Sequence, residues 1–234
     1  MPLDSSEHKR ALAHVCWIGG PPDAGKSTVA DLLGGQHGLP VYHFDRYETA
    51  HIARADPARH PELRQLGTKL AGIGEPAWLE EEWVRATPEE MVRRTIARWS
   101  ERVGLAVEDL LALPADRPII AEGPGFFPGA IVPLLASPRQ AVVLVPCEAF
   151  KRASHERRGK STGRGERTSD PGRYRRNHIA RDLLMAEHYR RTAQESGLLL
   201  IEVDGSRSAE EVAAVVGAHF GSRLAAVAPT HPTA

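Results

Sequence analysis

An α/β fold, with a parallel sheet covered by helices on both faces, is what this sequence predicts, and three observations predict it. Five short, apolar runs rich in β-branched residues alternate along the chain with segments of helical periodicity, the pattern of strand-helix-strand units joined by right-handed crossovers. Glycine or an acidic residue follows four of the five runs, at the strand ends where ligands bind in such sheets. The composition, 41% hydrophobic and 26% charged over 234 residues, suits one globular domain that buries its own core.

The first run, His14-Val15-Cys16-Trp17-Ile18, stops at Gly19-Gly20 and reads as a buried strand entering a glycine turn. Lys26 to Leu33 carries Val29, Ala30, Leu32 and Leu33 on one helical face, with Gly34-Gly35 as its expected stop. Leu39 to Phe44 is the second expected strand, closed by Asp45. Arg46 to Arg117 is far more chain than one covering helix needs, and Met91, Val92, Thr95, Ile96 and Trp99 repeat at helical spacing within Pro88 to Glu101. Residues 46–117 are therefore expected to form a helical cap over the substrate side. Pro118 to Ala121 makes the third strand, ending at Glu122; Ala141 to Val145 the fourth, ending at Pro146; Leu198 to Val203 the fifth, ending at Asp204.

Residues 151–176 are rich in glycine, serine and arginine and nearly devoid of apolar side chains, so they are expected to pack no core and to act as a mobile lid. A helix is expected from Arg181 to Glu195. The single domain is expected to span 1–221, with 222–234 a flexible tail.

Formal charge is zero, yet Lys151 to Arg191 holds 13 basic residues against five acidic ones, a positive segment that should meet something negative. Cys16 and Cys147 each adjoin an apolar run and read as buried thiols, which favours a reducing cytoplasm. No segment reaches the ~20 apolar residues of a membrane span, and Met1 to Arg10 lacks a signal peptide's apolar stretch. A cytoplasmic protein without a membrane partner is expected.

Gly20-Pro21-Pro22-Asp23-Ala24-Gly25-Lys26-Ser27 matches G-x-x-x-x-G-K-[ST] between a strand and a helix, the P-loop context. Backbone N–H groups around Asp23, Ala24 and Gly25 can curl about phosphates, Lys26 can neutralise β/γ oxygens, Ser27 can ligate magnesium, and Thr28 falls on the α-phosphate side. Gly159-Lys160-Ser161-Thr162 echoes the motif, but Ser154 stands where its leading glycine should be and no strand precedes it. Asp45 would face the γ-phosphate and accept a hydroxyl proton or hold magnesium through water, or else cap a helix. Glu122, before Gly123, sits where a Walker-B-type acid with a magnesium role belongs. Among the lid's basic residues, Arg157 and Arg158 are the preferred phosphate-facing pair, with Arg152 on the nucleotide side.

With these residues in place, the chain resembles the P-loop kinases of the nucleoside monophosphate kinase superfamily, and within it small-molecule kinases such as gluconate, shikimate, uridine and chloramphenicol kinases. The resemblance implies a three-layer P-loop NTPase sandwich with strand order 2-3-1-4-5, ATP with magnesium as donor, and a lid that closes on the donor. It implies that Asp204-Gly205-Ser206, followed by Ser208 to Val216, lies near the adenine. It also makes Asp45 the base for an acceptor hydroxyl, with Arg46, Glu122 and Gly123 on the acceptor side. Pro21-Pro22-Asp23 departs from the serines and glycines of many relatives.

The function expected is a kinase that moves the γ-phosphoryl group of ATP to a hydroxyl of a small molecule: a nucleoside, a sugar-like metabolite or a natural product. A regulatory ATPase without an acceptor and a nucleic-acid end kinase stay open as alternatives. Zero net charge and the absence of aromatic interleaving in the lid count against nucleic acid as a partner. A homodimer stays open.

Overall fold

Strand propensity and helical periodicity resolve into one sheet and its covering helices. The computed structural model describes residues 5–157 and 163–224. The chain opens with α1 (Ser5–Ala11), β1 (Val15–Gly19), α2 (Lys26–His37) and β2 (Val41–His43). The insertion supplies α3 (Glu48–Arg54), α4 (Pro61–Leu79) and α5 (Pro88–Leu111) before β3 (Ile119–Glu122). Then come α6 (Pro128–Ile131), β4 (Ala141–Pro146), α7 (Glu148–Arg157), α8 (Pro171–Glu195), β5 (Leu199–Val203) and α9 (Ala209–Phe220). All five strands are parallel, in the order β2-β3-β1-β4-β5.

Period-two alternation sorts the strands' side chains onto two faces. Val15 and Trp17 of β1, Ala121 of β3 and Val143 of β4 share one core with Ala106 and Leu110 of α5 and Met185 and Tyr189 of α8. Ile18, Ile120, Val142 and Leu144 share the other with Val29 and Leu33 of α2 and Val212 and Val216 of α9. The central strands are buried on both sides, as a parallel sheet with helices on each face requires.

Four boundaries differ from expectation, each for a physical reason. Helix α2 does not stop at Gly34-Gly35 but runs to His37, and Gly38, at φ 64°, ends it. Gly34 is a packing glycine, since a Cβ there would stand 2.6 Å from Val41 Cγ2. Strand β2 is only three residues long, and Asp45 lies beyond it on a 3₁₀ turn, Phe44–Tyr47. Helix α5 continues past Glu101 to Leu111. Helix α8 begins at Pro171, ten residues before Arg181, with Asp170 accepting from the Arg173 N–H at 2.8 Å.

The segment expected to pack nothing is partly buried. Lys151, Ser154 and His155 of α7 and Tyr174 of α8 are all buried, and the charge among them is matched by carboxylates instead of being left to solvent. Arg158 and Gly159-Lys160-Ser161-Thr162 lie outside the described residues, as does the tail from 225 on; Leu224 still packs with the α2/α9 core. The insertion is helical throughout its core, kinked at Gly74 (φ 75°) and joined to α5 through a single π-helical stretch, Glu80–Arg85. Among the described residues no helix is long and apolar enough to cross a membrane.

Two glycines test this packing in opposite directions. A Cβ at Gly19 would meet the Phe126 carbonyl oxygen at 2.1 Å, whereas one at Gly35 would meet nothing within 4 Å. Urea denaturation should show Gly19→Ala losing more than about 2 kcal/mol and Gly35→Ala gaining about 0.5–1 kcal/mol. Equal effects at the two positions would contradict the packing described.

Candidate active site

Register brings the strand ends level. Ile18 of β1 and His43 of β2 both pair with Glu122 of β3, so the loop leaving β1, the turn leaving β2 and the last residue of β3 border one crevice. That is the ligand-binding edge of an open parallel sheet.

The loop from Gly20 to Gly25 turns through three positive φ angles: 143° at Gly20, 69° at Asp23 and 77° at Gly25. A Cβ on Gly20 would stand 2.0 Å from the Leu144 carbonyl oxygen, so only glycine lets the loop lie against β4. Gly25 is the N-cap of α2, and no side chain caps the helix. First-turn N–H groups and the positive end of the helix dipole are thus available to an anion. Gly25, Lys26, Ser27 and Thr28 line a crevice of about 180 Å³ together with Asp45 and Pro124. Lys26 Nζ donates to the Pro21 carbonyl at 2.9 Å, folded over the loop.

At the foot of the loop, Ser27 Oγ donates to Glu122 Oε1 at 3.0 Å. The same oxygen meets His43 Nδ1 at 2.8 Å, and His43 Nε2 stands 3.2 Å from Asp31 Oδ1 on α2. His43 belongs to no metal-ligand spacing in the sequence, but its imidazole fixes the carboxylate that Ser27 touches. Its position at the end of a strand beside Asp45 was the available signal. Ser27 Oγ and Glu122 Oε1 are hard oxygen donors of the kind magnesium takes together with phosphate and water. Among the described residues no group of three or more His, Cys, Asp or Glu side chains could hold a metal.

Asp45 is exposed and lines the crevice opposite the loop. It does not cap α3: the N-cap position there is Tyr47, and no side chain caps the helix. Arg46 is exposed beside it. Gly123, expected on the acceptor side, packs closely in the fold. Its N–H is taken by the Ile18 carbonyl at 3.1 Å, and a Cβ would meet Phe44 Cβ at 2.3 Å.

The Asp23 side chain does not face the crevice. Its carboxylate has no exposed surface and accepts from Lys151 Nζ at 2.5 Å, so Asp23 borders the crevice through its backbone. Lys151 also contacts Asp182 of α8, whose other oxygen lies 3.0 Å from Arg181 Nε. Burial alone would raise the Asp182 carboxyl, but Arg181 and Lys151 hold it below the usual carboxylate range. Lys151 and Asp182 were not singled out in the sequence, because nothing local marks them.

Beside the loop, toward β5, lies a cavity of about 390 Å³ with Phe150, Val203 and Val212 as apolar walls and Arg157, Arg207 and Ser208 as polar ones. The Arg157 guanidinium sits 5.8 Å from the Phe150 ring centre. Thr28 and Ala24 line it as well. Asp204 closes the adjoining turn by accepting from the Ser206 N–H and hydroxyl, and Gly205, at φ 89°, packs on Phe150. Arg152 is paired with Glu148 on the exposed side of α7, at 2.7 Å. Arg164 and Arg167 reach Glu75 in the cap at 3.2 and 2.9 Å, not the glycine loop.

No protein-family model matches this chain, and no curated protein matches it.

His178 of α8, against Trp83 and beside Asp182, is pushed by burial down to about 3. Between the ordinary histidine value of 6.5 and that depressed value, the unfolded chain takes up a proton at His178 that the folded chain refuses. Stability is therefore lost as pH falls below 6.5, at up to about 1.4 kcal/mol per pH unit for this residue. Denaturation at pH 7, 6 and 5 should show a shallower decline for His178→Gln than for the unaltered chain; identical slopes would contradict a neutral buried imidazole.

Proposed function

We propose that this protein is a P-loop kinase that transfers the γ-phosphoryl group of ATP, with magnesium, to a hydroxyl of a small molecule. The observation that carries the reading is the Ser27–Glu122 contact at the start of α2, with Asp45 across the same crevice. The nucleotide base takes the cavity walled by Phe150, Val203 and Val212, and its phosphates run onto the loop, because Asp23, Gly25 and Thr28 border both spaces.

In this reading the loop N–H groups and Lys26 hold the β and γ oxygens, and Ser27 and Glu122 hold the metal. Bound magnesium supplies charge neutralisation for the triphosphate. Asp45 takes the proton of the acceptor hydroxyl as that oxygen bonds to the γ-phosphorus; the bond from phosphorus to the β–γ bridging oxygen breaks, and ADP leaves. Arg157, on the wall of the nucleotide cavity, offers a guanidinium to oxygens that gain charge during transfer. His43 acts through Glu122, which it positions. Pairing of Arg152, Arg164 and Arg167 with Glu148 and Glu75 supports a small acceptor over nucleic acid, since those charges are already matched.

Removal of the Lys26 charge should lower ATP affinity by about 100-fold or more in calorimetry of Lys26→Ala, and unchanged affinity would refute the nucleotide site. Asp45→Asn should bind ATP nearly normally while transfer to an acceptor falls by roughly 100-fold or more. Turnover retained in that variant would take the base role away from Asp45.

A further inference from the structure

A second cavity, of about 470 Å³, lies beneath the cap between α3, α4, α5 and α8, within the size range of pockets that enclose a drug-sized molecule. Three of the chain's four tryptophans, Trp78, Trp83 and Trp99, line it, together with Ile52, Leu63 and Leu66. All three are half-buried, and Trp99 also packs against the sheet core. An apolar and aromatic wall of this kind favours a flat ring over an aliphatic polyol, whose hydroxyl groups would lose water without gaining partners.

The charges on the lining are matched one against another. Glu82 is buried and takes Arg98 at 2.7 Å and Arg94 at 3.3 Å. Arg102 reaches Glu48 at 3.3 Å, Arg164 reaches Glu75 at 3.2 Å, and Arg181 lies at 3.0 Å from Asp182 and 4.8 Å from the Trp83 ring centre. A phosphate or carboxylate on the ligand would have to displace a carboxylate already held, and would face Glu48, Glu75 and Glu82 besides.

Some of the donors along the lining are unmatched. Trp78 Nε1, Arg98 Nε and Arg102 Nε are buried and have no hydrogen-bond partner among the described residues, and buried donors of this kind select a ligand that brings oxygen to them. Arg102 also links the cavity to the reacting end of the crevice. It donates to the Phe44 carbonyl at 2.8 Å, immediately before Asp45, and lies over the Phe44 ring at 4.0 Å.

We propose that this cavity receives the body of the phosphoryl acceptor, and that the acceptor is an uncharged, ring-bearing alcohol with hydrogen-bond-accepting oxygens. The assignment rests on the kinase reading. The acceptor's hydroxyl loses its proton to Asp45 and gains the γ-phosphoryl group, with ADP as the leaving species. Nucleosides and aryl glycosides both answer this description, and the shared chemistry is a flat ring, oxygen acceptors and a free hydroxyl.

Saturation-transfer NMR on the full chain, with the nucleotide site filled by magnesium and a non-hydrolysable ATP analogue, tests this. The probes are uridine, the aryl glucosides salicin and arbutin, and the charged alcohols gluconate, shikimate and UMP. Transfer to uridine or to the glucosides, and not to the charged probes, is expected, and which of the two responds names the source. Thr95→Trp, which fills the cavity from α5, should weaken that binding by at least about tenfold while leaving calorimetric ATP affinity unchanged. If that variant does not fold, Thr49→Leu serves in its place. Binding confined to charged probes, binding of none of them, or binding that survives the filled cavity would overturn the proposal. ATP binding without any neutral ring-bearing ligand would sink this inference alone, whereas ring binding without ATP binding would sink the kinase reading.

Discussion

One buried ammonium holds the candidate site together. Lys151 stands between Asp23 and Asp182, with both carboxylates and the ammonium almost entirely sealed from solvent. Asp23 is in a left-handed conformation, at φ 69°, which is uncommon for a non-glycine residue. The partner that holds its carboxylate comes from α7, and α7 is in turn fastened to α8. Loss of the ammonium would leave two carboxylates buried without their countercharge, a strongly unfavourable state. The loop's curvature, and so the direction of its N–H groups, depends on helices far away in the chain.

The sheet supplies the second constraint. Because β1, β2 and β3 are parallel and in register at Ile18, His43 and Glu122, three unrelated stretches of sequence deliver a glycine loop, an imidazole and a carboxylate to one level. Phe44 then fills the space beneath Gly123 and Gly125, where any Cβ would collide with its side chain. That close approach sets the height of the turn carrying Asp45. Distance from the loop to Asp45 is thus a property of core packing, not of the crevice itself.

Some of this was legible in the sequence. The spacing of Gly20, Gly25, Lys26 and Ser27 is local, and the strand before it and helix after it are short-range patterns, so the loop could be read directly. The ends of β3, β4 and β5 were readable because apolar runs stop at an acid or a proline. The partner of Asp23 was not, since Lys151 lies 128 residues away and carries no motif. Nor was the tie between His43 and Glu122, which needs a register between strands 79 residues apart. The stretch around Lys151 and Tyr174 read as a lid because its composition is polar. Lys151 is buried by ion pairs and Tyr174 by packing on Leu79 and Val84 of the distant cap, neither of which leaves a local hydrophobic period to detect, although Asp170-Pro171 did carry a helix-start signal.

The most direct measurement is a crystal structure of the full chain with magnesium and a non-hydrolysable ATP analogue. The account predicts β and γ phosphates seated on the N–H groups of residues 24–28, the metal against Ser27 Oγ and the Glu122 carboxylate, and the Asp23–Lys151–Asp182 cluster intact. A nucleotide bound elsewhere, or phosphates that enter only after Asp23 has left Lys151, would contradict it.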